Sequence, residues 1–451
     1  MLTGTEVLDA RDKAQARSFG TLLGTPAAVL RPRSASDIAI ILKAANEERQ
    51  PVVPWGGCTG LVDGAYAEEA LALSLERMNA IEEVDETNRV MRVQAGCTLQ
   101  AACDAAEEHQ LLLPLDLGAR GSATIGGVIS TNAGGNRVLR WGMMRETVLG
   151  LEVELADGTI LNSLNSLIKN NAGYDVKQLF IGSEGTLGIV TRAVLRLRPL
   201  PISQNVALLA VDAFEKIPLA LRRFERDLGG TLSSFEVMWP EFYKLVTTPP
   251  AVGRPVLPYG HPFYVLIEAK GAELATDEDR WESILSEALD AGEIVTAAIA
   301  KSDAERKAIW GLRDDVAQLN RLGPIIPFDV SLRLTDMPQY LAEVQHALEG
   351  RWGATCRLVV FGHLGDGNLH LIVALGTQSR DALQATEEIV YGLLPNGNRS
   401  SISAEHGIGL QKRDYLHHTR SPIEITVMRT IKMALDPHNI LNPGKVLPKQ
   451  Q

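Results

Sequence analysis

At 451 residues with 45% hydrophobic composition, the chain is globular in character and too long for one ordinary core, so two or three domains are expected. A formal net charge of −11 without any long Lys/Arg run argues against a nucleic-acid partner, which needs a basic face. No stretch approaches the roughly 20 apolar residues of a membrane span, and four cysteines (Cys58, Cys97, Cys103 and Cys356) without CxxC spacing are too few for a disulfide scaffold.

The N-terminal "MLTGTEVLDARDKAQARSFG" mixes both charge signs and lacks an apolar core, so no signal peptide is read and a cytoplasmic protein is expected. "SASDIAIILKAANEERQ" has helix start signals followed by apolar residues at helical spacing, and "PVVPWGG" closes a strand on a loop. A second strand and helix follow in "RVMRVQAGCTLQAACDAAEEHQ". "LGLEVELADGTIL" alternates around Asp157-Gly158, a hairpin signal, and "LGIVTRAVLRLRP" ends the segment as a strand. Prolines in "RPLPISQ", 198 to 204, mark a boundary. Strands and helices then alternate through "NVALLAVDAF", "LSSFEVMW", "FYVLIEA", "DRWESILSEALDAG", a helix around 303 to 320 and "PFDVSLRL", an α+β pattern. Residues 400 to 451 carry "SAEHGIG", one long helix and "NPGKV", and read as a return to the first domain.

Two glycine-rich loops, "PWGGCTGLVDG" and "DLGARGSATIGGVISTNAGGNRVLRWG", stand out. Glycine lets backbone approach a ligand and take positive φ, so successive N–H groups can point at a pyrophosphate. Either loop alone reads more readily as a set of surface turns. Together with "GSEGTLGIV" they favour a dinucleotide. Neither GxGxxG after a strand nor GxxxxGK[ST] occurs, so the Rossmann fingerprint and the P-loop are both unavailable.

"PWGGCTGL", "GARGSATIGGVISTNAGGNRVLRWG" and "NNAGYDVKQLFIGSEGTLGIVT" resemble the FAD-binding domain of the vanillyl-alcohol oxidase and p-cresol methylhydroxylase superfamily. With "GHLGDGNLH", "AEHGIG" and "NPGKV", the resemblance covers nearly the whole chain. It narrows to the D-2-hydroxy acid dehydrogenase branch: the D-lactate, glycolate and D-2-hydroxyglutarate dehydrogenases. It implies an α+β chain with a two-part FAD-binding domain over 1–200, a substrate domain with an antiparallel sheet over 201–399, and a segment from 400 that completes the site. It further implies flavin contacts from Trp55, Gly56, Gly57, Cys58, Thr59, Gly60 and Leu61, and from Asp116, Gly121, Ser122, Thr124, Gly126, Gly127, Ser130, Thr131, Asn132 and Gly135. Glu184, Gly185, Gly188 and Val190 fall near the adenosine half, and Asn442 belongs to the same set. Cys58 stands where wider relatives carry a histidine joined to the flavin; a thioether is conceivable there, but a small residue packing beside non-covalent FAD is the expectation.

If Asp366-Gly367 is a two-residue turn, His363 pairs with His370 across a hairpin, and directly opposed residues share a face with Cβ atoms about 5 Å apart. Two histidines and one carboxylate form a recognised catalytic metal set, and Glu405 is the candidate carboxylate. Spacing alone favours two satisfied hairpin histidines and a surface Glu-His pair; the resemblance implies His363, His370 and Glu405 on Zn²⁺ or Mn²⁺. His406 is then the candidate base, since a neutral imidazole can take the proton of a substrate hydroxyl.

Arg313, in the helical pattern "AIWGLRDDVAQLN", matches the family's substrate-carboxylate arginine. Three other matches depart from the D-2-hydroxyglutarate enzymes. Ala317, expected one helical turn beyond Arg313, replaces a threonine; Pro327 replaces a lysine; Ile372 replaces an asparagine. A dicarboxylate site cannot drop a cation and two hydrogen-bonding groups cheaply, so a monocarboxylate such as D-lactate, glycolate or an apolar D-2-hydroxy acid is the expected substrate. The resemblance suggests an electron-transfer flavoprotein or a quinone as electron acceptor, and leaves a homodimer open.

Overall fold

A computed structural model describes residues 5–8, 22–377, 379–395 and 398–448, and divides the chain into two units. Most of the N-terminal stretch expected to carry no signal peptide lies outside the described residues. Among the described residues no helix is long and apolar enough to cross a membrane.

The first unit comprises the chain up to Gly135, Gly142–Leu200, and the residues from Glu405 onward. One of its sheets runs in the order β1 (Glu6–Leu8), β2 (Ala28–Arg31), β4 (Leu71–Ser74), β3 (Val52–Trp55), with β2 and β3 parallel to β4. The parallel pairing requires a crossover, supplied by the helix Ala35–Glu47. Ser34 caps it by accepting the Asp37 N–H, and Ile38, Ile41, Leu42 and Ala45 bury a stripe at helical spacing. The second sheet is antiparallel: β5 (Ile81–Asp85), β6 (Val90–Gln94), β10 (Ile189–Arg196), β8 (Val148–Glu154), β9 (Ile160–Ser163). β7 (Leu111–Leu112) and β11 (Arg198–Pro199) pair separately. The Asp157-Gly158 hairpin joins β8 to β9, with Gly158 at φ +83°.

β8 is buried along its whole length rather than on alternate residues. Its outlier is Glu154, fully buried, with Oε2 lacking a partner among the described residues while Oε1 and Glu152 share the Thr191 hydroxyl at 3.2 Å. Burial pushes its carboxyl up to about 8, with Glu152 adding to the effect. The group is therefore neutral in the folded protein at pH 7 but ionised in the unfolded chain. Its contribution is fully present below the ordinary value of 4.5 and is lost as pH rises to about 8. Glu154→Gln removes that loss, so thermal melts should show its stability relative to the wild type improving from about pH 5 to about pH 8.

The second unit, Asn136–Trp141 and Pro201–Ala404, is built on an eight-stranded antiparallel sheet. Its order is β15 (Thr296–Ile299), β12 (Ser203–Val211), β14 (Phe263–Gly271), β13 (Leu232–Met238), β17 (Arg357–Gly362), β18 (Asn368–Ala374), β16 (Ile325–Leu332), β19 (Ser400–Ser401). On one face Met238, Leu266, Phe361 and Ile372 pack with Phe242 and Val246 of the helix Pro240–Thr247 and with Ile309, Trp310 and Leu312 of the helix Asp303–Asp314. Strand alternation places Glu236, Glu268 and His370 on that same face.

Two boundaries differ from the sequence expectation. β19 pairs with Ser331 and Leu332, which keeps the chain in this unit through Ala404 instead of releasing it at 399. The glycine-rich stretch 116 to 142 also lends Asn136–Trp141 to the second unit. Arg137 Nε donates to Glu268 at 2.9 Å, and Arg140 donates to the carbonyls of Thr231 and Lys270. Burial acts to raise the Glu268 carboxyl, but Arg137 and Lys270 bring it down to about 2. These contacts are long in sequence, so no local pattern announces them.

Candidate functional site

In the first unit the glycine loops make a cleft. Gly57 is obligatory, because a Cβ there would lie 1.9 Å from the Ser122 carbonyl oxygen; the two loops touch backbone to backbone. Thr124 caps the short helix Ile125–Ser130 by accepting the Gly127 N–H. Of the expected flavin residues, Gly56, Gly57, Cys58, Thr59, Gly60, Leu61, Thr124, Gly126, Gly127, Ser130, Thr131, Gly135, Glu184, Gly185, Gly188, Val190 and Asn442 line this cleft, together with Glu405 and His406.

Trp55, Asp116, Gly121, Ser122 and Asn132 do not line it. Trp55 turns into a core with Val29, Val53 and Ala72, and its Nε1–H holds the Ala65 carbonyl at 2.8 Å. Asp116 bonds Arg120, while its carbonyl would clash with any Cβ at Gly135. Asn132, at φ +48°, accepts the Arg145 N–H. These residues shape the wall from behind. Cys58 is half-buried at φ +51°, with Sγ 3.8 Å from the Gly56 carbonyl oxygen.

The cleft suits a dinucleotide on its own terms. Glycines make up a third of its lining, leaving backbone accessible to a pyrophosphate. Asn442 is 2% exposed and donates Nδ2 to the carbonyls of Gly64 and Glu184, while its Oδ1 has no partner among the described residues. A buried acceptor of that kind calls for an N–H or O–H donor, and FAD carries both.

The "EHGIG" loop is fixed by an interaction the sequence does not signal. The buried Glu184 carboxylate accepts the N–H groups of Ile408 at 2.6 Å and Gly409 at 2.8 Å. A Cβ at Gly407 would fall 2.8 Å from Glu184 Oε1, and one at Gly409 would fall 2.0 Å from the Val62 carbonyl oxygen. Both glycines also take positive φ. Burial raises the Glu184 carboxyl, opposed by those two N–H groups and Lys412, with a net rise. Its oxygens thus hold the loop that carries Glu405 and His406.

The second unit gathers His363, His370, Arg313, Glu236 and Asp329, all buried. The register is not the one expected from a two-residue turn: Phe361, not His363, lies opposite His370. His363 leaves the strand at φ −82°, ψ 74°, one 3-10 turn spans Leu364–Asp366, and the Asn368 N–H returns to the His363 carbonyl at 3.1 Å. A shift of two residues keeps the face, because strand side chains repeat every second residue. The two imidazoles accordingly still meet, with ring centroids 5.2 Å apart.

Glu236, on β13, is the residue that sequence reasoning missed. Its Oε1 lies 2.7 Å from His363 Nδ1, its Oε2 accepts from Arg313 Nε at 2.8 Å, and Arg313 Nη2 lies 3.1 Å from His363 Nε2. Burial acts to raise the Glu236 carboxyl, but His363 and Arg313 together hold it below its ordinary value. Arg313 also stacks over Phe361 at 4.9 Å. On the other histidine, Nδ1 lies 3.9 Å from Asp329, which accepts from Asn368 at 2.7 Å.

Beside this cluster Pro327, Ile372 and Val359 stand directly across from one another on β16, β18 and β17. The next row holds Asp329, His370 and Phe361. Ala317 does not share a helical face with Arg313. The helix ends at Asp314, Asp315 breaks it at ψ 50°, and a 3-10 segment starts at Val316, leaving Ala317 exposed.

Residues 200–446 match the family of FAD linked oxidases, C-terminal domain, and residues 26–163 match an FAD binding domain. The chain is 42% identical to a mitochondrial D-2-hydroxyglutarate dehydrogenase of Bos taurus, over 95% of this chain and 78% of that protein. It is 40% identical to the D-2-hydroxyglutarate dehydrogenase of Xanthomonas citri pv. viticola, over 93% and 89% respectively. Substrate-bound p-cresol methylhydroxylase superposes with a TM-score of 0.74 at 16% identity, covering 98% of this chain and 94% of that one, a likeness of fold.

Proposed function

We propose, for a chain that belongs to the FAD-linked oxidases and is an FAD-dependent dehydrogenase of D-2-hydroxy acids, that its preferred substrate is a monocarboxylate with a small or apolar side chain, such as D-lactate or glycolate. The product is the 2-oxo acid. The observation that carries this reading is the row of Pro327, Ile372 and Val359 beside His370. Where the resemblance puts a lysine and an asparagine, this row offers a second carboxylate neither charge nor hydrogen bond. A carboxylate left unpaired against the buried Ile372 and Val359 costs several kcal/mol, while the exposed Pro327 at the end of the row supplies no cation.

FAD, when bound, supplies the acceptor for the two electrons of the substrate C–H bond. Arg313 pairs with the substrate carboxylate through its planar fork. His406 takes the hydroxyl proton as the C–O bond gains double-bond character. His363, His370 and Glu405 would hold a divalent ion, Zn²⁺ or Mn²⁺, whose charge would favour loss of that proton. The donors fit such an ion: a carboxylate can only accept, so Glu236 leaves His363 Nδ1 protonated and Nε2 an acceptor, whose lone pair faces Arg313 Nη2 at 3.1 Å and would turn to the ion in its place. FAD is held without a covalent bond, Cys58 packing beside it. Electrons leave to an electron-transfer flavoprotein or a quinone, and the protein works in the cytoplasm.

The relatives' names favour a second reading, in which D-2-hydroxyglutarate itself is the substrate. D- and L-2-hydroxy acids assayed with an artificial dye, with and without Zn²⁺ or Mn²⁺, separate the two. D-lactate or a longer apolar D-acid should exceed D-2-hydroxyglutarate by about 10²-fold in kcat/KM. The reverse order would establish the second reading.

A further inference from the structure

We infer that Glu236 is a positioning residue of this site: its carboxylate fixes the tautomer of His363 and ties Arg313 to the same point. The inference rests on the roles proposed above for His363 and Arg313. Glu236 is 1% exposed in the interior of β13, and each of its oxygens is committed, Oε1 to His363 Nδ1 at 2.7 Å and Oε2 to Arg313 Nε at 2.8 Å. The third side of the triangle, Arg313 Nη2 to His363 Nε2, is 3.1 Å.

Only one arrangement of protons satisfies all three contacts with a neutral imidazole. A carboxylate has no proton to give and a guanidinium has no lone pair to offer. Nδ1 must then carry the hydrogen, and Nε2 must accept. The opposite tautomer would set a lone pair against the Glu236 carboxylate and an N–H against the Arg313 N–H. A histidine whose remote N–H is held by a carboxylate is oriented and made more basic at its other nitrogen, the form that ligates a metal. The same carboxylate sets the guanidinium plane, so the metal ligand and the arginine for the substrate carboxylate share one anchor 77 residues from one and 127 from the other.

Glutamine at 236 has one oxygen and one NH₂ in place of two acceptors, so it cannot satisfy both partners. Aspartate keeps the charge but is shorter by one methylene. The full chain, loaded with FAD, is titrated with Zn²⁺ and with Mn²⁺ against a chromophoric chelator. Affinity should fall about 10- to 100-fold in Glu236→Gln, with a smaller loss in Glu236→Asp, while flavin absorbance, governed by the first unit, is unchanged. Independently of any variant of Glu236, ¹⁵N-histidine spectra of the metal-free wild type should show His363 protonated at Nδ1 and not at Nε2, its signal identified by its loss in His363→Gln. Wild-type affinity in Glu236→Gln, or a proton on Nε2 of neutral His363, would overturn the inference. A wild type that binds neither ion would instead overturn the metal reading, and the ¹⁵N result would still decide the role of Glu236.

Discussion

Replacing His406 by asparagine should lower kcat by about 10²- to 10⁴-fold, the range for loss of a general base, with FAD still bound. Asparagine fills similar space and keeps hydrogen bonding but cannot take a proton. The loop should hold its place, because Glu184 grips the backbone N–H groups of Ile408 and Gly409 and not the side chain at 406. Dye-reduction kinetics on the substrate that the wild type prefers, with flavin content read from absorbance, measure both quantities. Activity within a few-fold of wild type would move the base elsewhere.

The second large effect is expected at His363. His363→Ala should abolish turnover, by at least about 10²-fold, without loss of flavin. The cleft residues all belong to the first unit, whereas His363 sits in the second. Metal analysis of the purified variant should show depleted Zn²⁺ or Mn²⁺ alongside unchanged flavin. Full activity in metal-free His363→Ala protein would refute the metal assignment.

Local signals were the legible ones. The capped helix after Ser34, the hairpin at Gly158 and the proline boundary before Pro201 each depend on a few neighbouring residues, and each is found near its expected place. The histidine pair was legible in its face but not in its register, since parity survives a shift of two while the geometry of the turn depends on where His363 leaves the strand. The helix break after Asp314, which removes Ala317 from the face of Arg313, carries no glycine or proline to announce it. Least legible were the buried carboxylates. Glu236 lies in an ordinary strand pattern, and the partners of Glu184 are 224 and 225 residues away. A side chain that works through distant backbone or a distant imidazole leaves no periodicity to read.

The path of the chain also sets an order of assembly. The Val52 N–H bonds the Ile440 carbonyl, the Asn442 N–H returns to the Val52 carbonyl, and Lys445 Nζ bonds the Tyr66 carbonyl, so the edge of the first sheet is finished by residues some 390 positions later. A ribosome makes the whole of the second unit before it makes Glu405, His406 or Asn442. The early strands must therefore wait, with their edge unpaired and their cleft incomplete, through the synthesis of nearly all of those roughly 390 residues. Cofactor capture in its final form is thus one of the last events in the birth of this protein.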